Sequence, residues 1–211
     1  MPDAGLATLP AMRHVILLVL VATLTAAASD VLGPGQASEL RPPAWAQPLT
    51  VAGLPNLHLV APGVYRGAQP TAGGMRELEK LGIKLVINLR AFHDDEDEVE
   101  GTSLRRAKIS FKTWHAEEED VVRFLKLVND PANQPVFFHC QHGADRTGTM
   151  SAIYRMAIQG WSSEAAVREM IEGGYNFHPI WSNLPAYLNA VDVAKLRVAA
   201  GITAPPALAA P

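Results

Sequence analysis

Residues 139–148 read His-Cys-Gln-His-Gly-Ala-Asp-Arg-Thr-Gly and hold the only cysteine of the chain. Cys140 and Arg146 are separated by five residues, a spacing that lets a tight loop wrap a tetrahedral oxyanion with sulfur below it and a guanidinium at its side. Such a pair suits phosphoryl transfer to sulfur. Backbone N–H groups that run from a loop into a helix N-terminus converge on one point, and the helix dipole adds partial positive charge there. The same field favours an anionic sulfur at Cys140, the form that acts as nucleophile. Arg146 supplies a planar fork that grips two phosphate oxygens at once, which a lysine cannot do. The N–H groups of Gln141, His142, Gly143 and Ala144 complete the cradle. Gly143 permits close backbone approach or a positive φ, and Gly148 permits tight helix packing beneath the loop. Thr147 can donate its hydroxyl to the sulfur, His139 can orient the loop through its ring, and His142 faces either phosphate or solvent.

A strand followed by His-Cys, five residues and Arg-Thr-Gly resembles the signature of the cysteine-dependent protein tyrosine and dual-specificity phosphatases. The segment from Val64 to Pro70, the helix-like stretch after it and residues 83–90 resemble the opening of the bacterial dual-specificity-like branch. The resemblance spans residues 57–191. It implies a metal-independent phosphomonoesterase that works through a cysteinyl-phosphate, with no cofactor. It also places Arg66 in the family-like opening, as a residue able to reach the substrate rim. A phosphoinositide or inositol phosphate phosphatase of the same mechanism is the alternative. An exported, non-catalytic phosphate-ligand binding protein is a third reading.

The donor of the leaving-group proton is open between three groups. The resemblance calls for an aspartate some thirty residues before the cysteine, and the window around Ser110 holds no acid. Asp145 is preferred, because myotubularin-like and Sac-type phosphoinositide phosphatases carry Asp-Arg at the same place in their loops. Glu117, Glu118, Glu119 and Asp120 follow Trp114 and could swing over the site, or could simply favour a helix start through the dipole. The run from Asp94 to Glu98 supplies the third group and otherwise reads as a solvated loop and helix start. It lacks the spacing of a calcium loop, and the histidines lack the short-spaced pairs of a zinc site, so no metal is implied.

These residues need a scaffold. Apolar periodicity predicts a helix capped by Thr71 and ending at Lys80, buried strands over residues 83–89 and 135–139, and an alternating strand over residues 109–114. Helices are predicted over residues 117–128, 147–158 and from Ser162 or Ser163 to Ile171, with another starting near Ser182. Alternating strands and helices imply an α/β fold: a single three-layer domain whose central, mostly parallel sheet is flanked by helices, with the phosphate loop between the central strand and a helix. Its 211 residues, 48% hydrophobic and 18% charged, suit one globular domain. A net charge of −3 argues against nucleic acid as a partner. The partner expected is a phosphorylated protein, lipid or small molecule.

The apolar run over residues 15–24, followed by small residues through Ala28, has the pattern of a secretory signal. Residues 1–28 are therefore expected to be a signal peptide, residues 29–56 a Pro/Ala-rich linker or arm, residues 57–197 the phosphatase domain and residues 198–211 a disordered tail. The leader implies export to the periplasm or medium, with an inner-membrane anchor and membrane proximity as the alternative. A tidier start at Met12 is noted. The lone Cys140 leaves no internal disulfide and no lipid attachment.

Overall fold

The computed structural model describes residues 41–203. The expectations for the leader, for residues 29–40 and for residues 204–211 lie outside the described residues.

Six strands form one sheet in the order β1-β2-β3-β6-β4-β5. They are β1 (Gln47–Pro48), β2 (His58–Ala61), β3 (Val64–Gly67), β4 (Leu85–Asn88), β5 (Arg105–Lys108) and β6 (Val136–His139). The pairs β3·β6, β6·β4 and β4·β5 are parallel, and β1·β2 and β2·β3 are antiparallel. Three of the five pairs are parallel, as expected, and the antiparallel β1 and β2 make the sheet a mixed one, with β6 in its interior between β3 and β4. All four residues of β4 and of β6 are buried, which is why both read as continuous apolar runs rather than as alternating ones.

The period of two sorts the central strands between two cores. Val86 and Phe137 pack with Met75 and Leu78 of α1 (Ala72–Lys80). Leu85, Ile87, Val136 and Phe138 pack on the other face, with side chains of α2 (Glu118–Asn129), α3 (Asp145–Ala157), α4 (Ser163–Glu172), α5 (Asn183–Ala190) and α6 (Val193–Ala200). Thr71 caps α1 by accepting from Gly74 N, and Ser162 caps α4 by accepting from Ala165 N.

Three expectations change. The strand placed at residues 109–114 is instead β5, four residues earlier. Ile109 and Phe111 are indeed buried, but β4 ends at Asn88 and offers no further ladder, so the chain bonds once from Ile109 N to Asn88 O and turns away. The sequence of β5 is polar because it is an edge strand, where charge discourages pairing with another chain. Residues 41–56, assigned to the linker, belong to the folded unit: Trp45, Ala46 and Leu54 are buried, and Arg41 donates to Gly173 O and to the Tyr175 hydroxyl. Residues 198–202, assigned to the tail, are ordered: α6 runs to Ala200, Gly201 ends it with φ 72° and Ile202 is buried.

Candidate active site

Parallel register sets the site. Gly67 of β3 and Asn88 of β4 both align with His139 of β6, so the residues that follow each strand emerge at one edge. Those residues are Ala68 and Gln69, Leu89 and Arg90, and Cys140. The chain then loops through Gln141 to Ala144 and enters α3 at Asp145. The first turn of α3 leaves N–H groups without intrahelical acceptors, which aims donors and dipole at the loop. Cys140 lies beneath it at 1% exposure.

The loop is held from below and from the side. Gly143 has φ 70°, and a Cβ there would lie 2.7 Å from Ala68 N, so both reasons for a glycine apply. Gln69 N donates to Gln141 O at 3.3 Å, and Asn56 Nδ2 donates to His142 O at 2.9 Å. A Cβ on Gly148 would meet Met170 Cγ at 2.8 Å, the close α3–α4 packing expected of that glycine. Thr147 Oγ1 is buried and has no hydrogen-bond partner among the described residues.

Arg66 is corrected from rim to brace. It is 1% exposed, its Nη2 donates to Gly143 O at 2.5 Å, and its guanidinium stacks 3.7 Å from the centroid of Tyr175. The Tyr175 hydroxyl donates to Glu169, which is paired with Arg155 at 2.7 Å. Burial lowers the pKa of Arg66, opposed by Tyr175 and Glu169. Burial also pushes the Tyr175 hydroxyl up to about 12.

Asp95, which the sequence offers only as one member of a solvated run and third group of candidate acids, is buried. It is 3% exposed. Its Oδ2 lies 2.9 Å from His139 Nε2, and its Oδ1 accepts from Gln69 Nε2 at 2.9 Å and from Asn88 Nδ2 at 3.0 Å. One carboxylate therefore ties together the ends of β3, β4 and β6. Burial pushes its carboxyl up, but the hydrogen bonds and charge of His139 and the bond from Gln69 outweigh that and hold it below the usual carboxylate value. His139 Nδ1 lies 3.3 Å from Cys140 O, so the network reaches the cysteine backbone. The apolar residues that flank the run, Ala91, Phe92 and Val99, do not single out Asp95 among five consecutive acids.

Of the proposed acids, only Asp145 stands in the loop. Its Oδ1 accepts from His178 N at 2.9 Å and its Oδ2 lies 2.9 Å from His178 Nδ1. The His178 side chain is 47% exposed, which links a buried carboxyl to solvent. Glu118 pairs with Lys195 at 2.6 Å and Glu117 with Lys112 at 3.6 Å, on the surface around the start of α2. Burial and then the charge of Glu117 raise the pKa of Asp120.

Two recesses flank the loop. One of about 460 Å³ is lined by Asn56, Ala68, Gln141, His142, Asn176 and His178, among others. Asn56 and Asn176, with φ 54° and 63°, are the positive-φ non-glycines of the described residues, so backbone strain gathers at this recess. The other recess holds Arg146 with Arg90, Phe92, His93 and Gln141. His93, Asp95 and Glu98 offer donor atoms within 4.8 Å of one another, but both oxygens of Asp95 are already engaged.

Comparison with known proteins agrees with this geometry. Residues 60–176 match the family model described as DSP-PTPase phosphatase fused to NAD+ kinase. The dual specificity protein phosphatase TpbA of Pseudomonas aeruginosa strain UCBPP-PA14 is 35% identical over 174 residues, covering 79% of this chain and 77% of that protein. A crystal structure of P. aeruginosa TpbA superposes with a TM-score of 0.68 at 32% identity, covering 76% of this chain and 99% of that one. A second, of TpbA in complex with pTyr, gives 0.68 at 31% identity, with 76% and 98% covered. The catalytic core of the Saccharomyces cerevisiae PP-IP phosphatase Siw14 shares the fold, with a TM-score of 0.63 at 19% identity and 74% and 99% covered.

Proposed function

Because the chain belongs to the cysteine-based dual-specificity phosphatases, we propose that its loop from Cys140 to Arg146 hydrolyses phosphotyrosine-type monoesters in proteins. The observation that carries this reading is the shared edge of β3, β4 and β6, where Cys140 lies under the loop and Arg146 lines a recess beside it. The pTyr complex of TpbA supports the substrate class.

The Cys140 thiolate attacks phosphorus in line, forming the S–P bond as the bond to the ester oxygen breaks. Arg146 and the N–H groups of residues 141–146 hold the three equatorial oxygens, where charge accumulates in the transition state. Asp145 gives its proton to the departing oxygen. In the second step Asp145 takes a proton from water, which attacks phosphorus and releases Cys140 and inorganic phosphate. His178, bonded to Asp145 and open to solvent, orients that carboxyl and offers a route for its proton. The enclosure of Asp95 by His139, Gln69 and Asn88 and the ion pairs of Glu117 and Glu118 support Asp145 over these three acids.

Replacing Cys140 with Ser tests the thiol mechanism. Turnover of p-nitrophenyl phosphate is expected to vanish while vanadate still binds; full turnover by the variant sinks the reading. The leader pattern supports export, so activity is expected in the periplasmic or secreted fraction. Recovery in the cytoplasmic fraction overturns that part, and recovery with membranes selects the anchored alternative with lipid substrates in reach.

A further inference from the structure

The loop accounts for one phosphate, and the recess beside it holds a second guanidinium, that of Arg90. Arg90, Phe92, His93, Gln141 and Arg146 enclose about 240 Å³. Among the described residues, no carboxylate lies within ion-pair distance of Arg90 or of Arg146, whereas Arg106 has Asp94 and Glu96 and Arg155 has Glu169. His93 is matched by Glu98 at 3.1 Å.

Arg90 is not free to swing into solvent. Its Nη1 donates to Gln69 Oε1 at 2.9 Å and its backbone N–H donates to Asn88 Oδ1 at 2.8 Å. Gln69 and Asn88 are fixed in turn by Asp95. Burial and then the charge of Arg146 lower the pKa of Arg90, against the opposing charges of Asp95 and Glu98. Pinning one guanidinium beside another costs electrostatic energy that an anion in the recess offsets. The scissile phosphate satisfies Arg146 and the loop amides and leaves Arg90 over.

We infer that the recess at Arg90 binds a second anionic group of the substrate, beside the scissile phosphate. The enzyme then prefers phosphotyrosine peptides that carry a carboxylate or a further phosphate on a flanking residue. Phe92, at 88% exposure, walls the same recess and covers the apolar atoms that join the two anions. The inference rests on the phosphotyrosine reading above.

The test compares kcat/KM of the wild type and of Arg90→Gln on four substrates: phenyl phosphate, a phosphotyrosine peptide with neutral flanks, the same peptide with flanking glutamates, and a peptide with an adjacent second phosphoresidue. The wild type is expected to favour the glutamate peptide over the neutral one by about tenfold at low salt, with the preference shrinking as salt rises. Arg90→Gln brings that ratio to about one, and Arg90→Lys, which keeps the charge but not the fork, retains part of it. The doubly phosphorylated peptide separates the two sources, since a preference for it alone assigns the recess to phosphate. An equal loss on all four substrates would mean that Arg90 grips the scissile phosphate, and it overturns the inference, as does a wild type that hydrolyses all peptides alike. Turnover of phenyl phosphate with no turnover of any peptide overturns the phosphotyrosine reading and this inference with it. The wild-type preference and its salt dependence stand as the test even where Arg90→Gln fails to fold.

Discussion

Asp95 and Asp145 are two buried carboxyls with opposite surroundings, and each has its own signature on substitution. Asp95 bonds to three side chains, so Asp95→Ala takes a partner from His139, Gln69 and Asn88 at once and is expected to cost about 3 kcal/mol, read as a shift of the denaturant midpoint. Because its folded pKa is held below the ordinary carboxylate value, its contribution is complete above about pH 4 and is lost as the pH falls through the lowered value. Asp145 has one partner residue, the half-exposed His178. Asp145→Asn is expected to lower kcat/KM by about 10²-fold or more for alkyl phosphates and by only a few-fold for p-nitrophenyl phosphate, whose leaving group departs without a proton. Equal losses on both would assign Asp145 a structural part.

At the scale of elements, the two glycines of the loop and helix are expected to fail differently. Gly143→Ala forces a side chain into a positive φ and against the backbone of β3, atoms that cannot move without unpairing the strand from β6. Its kcat/KM should fall by about 10²-fold, because a displacement of about 1 Å in the cradle is enough for that. Gly148→Ala meets the flexible end of Met170 instead. It is expected to cost about 1–3 kcal/mol of stability, read by denaturant unfolding, with kcat close to that of the wild type. The motif prescribed both glycines, but only the packing of α3 on α4 and of the loop on β3 separates their duties.

Across the whole molecule, the loop leans on a buried chain of groups that starts at Arg66 and passes through Tyr175 and Glu169 to Arg155, whose Nη1 reaches Val60 O on β2. His58 packs edge-on against Tyr175 with ring centroids 4.7 Å apart, near the charges of Arg66, Arg41 and Glu169. Burial lowers its pKa to about 4, so the folded state resists protonation that the unfolded chain accepts near 6.5. Stability tied to His58 is therefore full above pH 6.5 and falls as the pH drops towards 4. The thermal midpoint should decline over that window, and His58→Gln should flatten the decline. An unchanged slope in the variant would remove His58 as its source.

The class of chemistry was legible in residues 139–148, because a phosphate cradle needs a nucleophile, a fork and small residues at fixed spacing along one contiguous loop. The helices and the two central strands were legible for a related reason: their caps and apolar runs are local. What tertiary structure alone decided is everything that joins distant segments. The edge strand β5 has no apolar signature, residues 41–56 show their burial only against α1, α4 and the segment around Tyr175, and Arg66 and Asp95 look like surface charges until distant segments close around them. Spacing along the chain fixes which groups can surround one phosphate, whereas burial and partnership of a charge depend on what folds over it from far away.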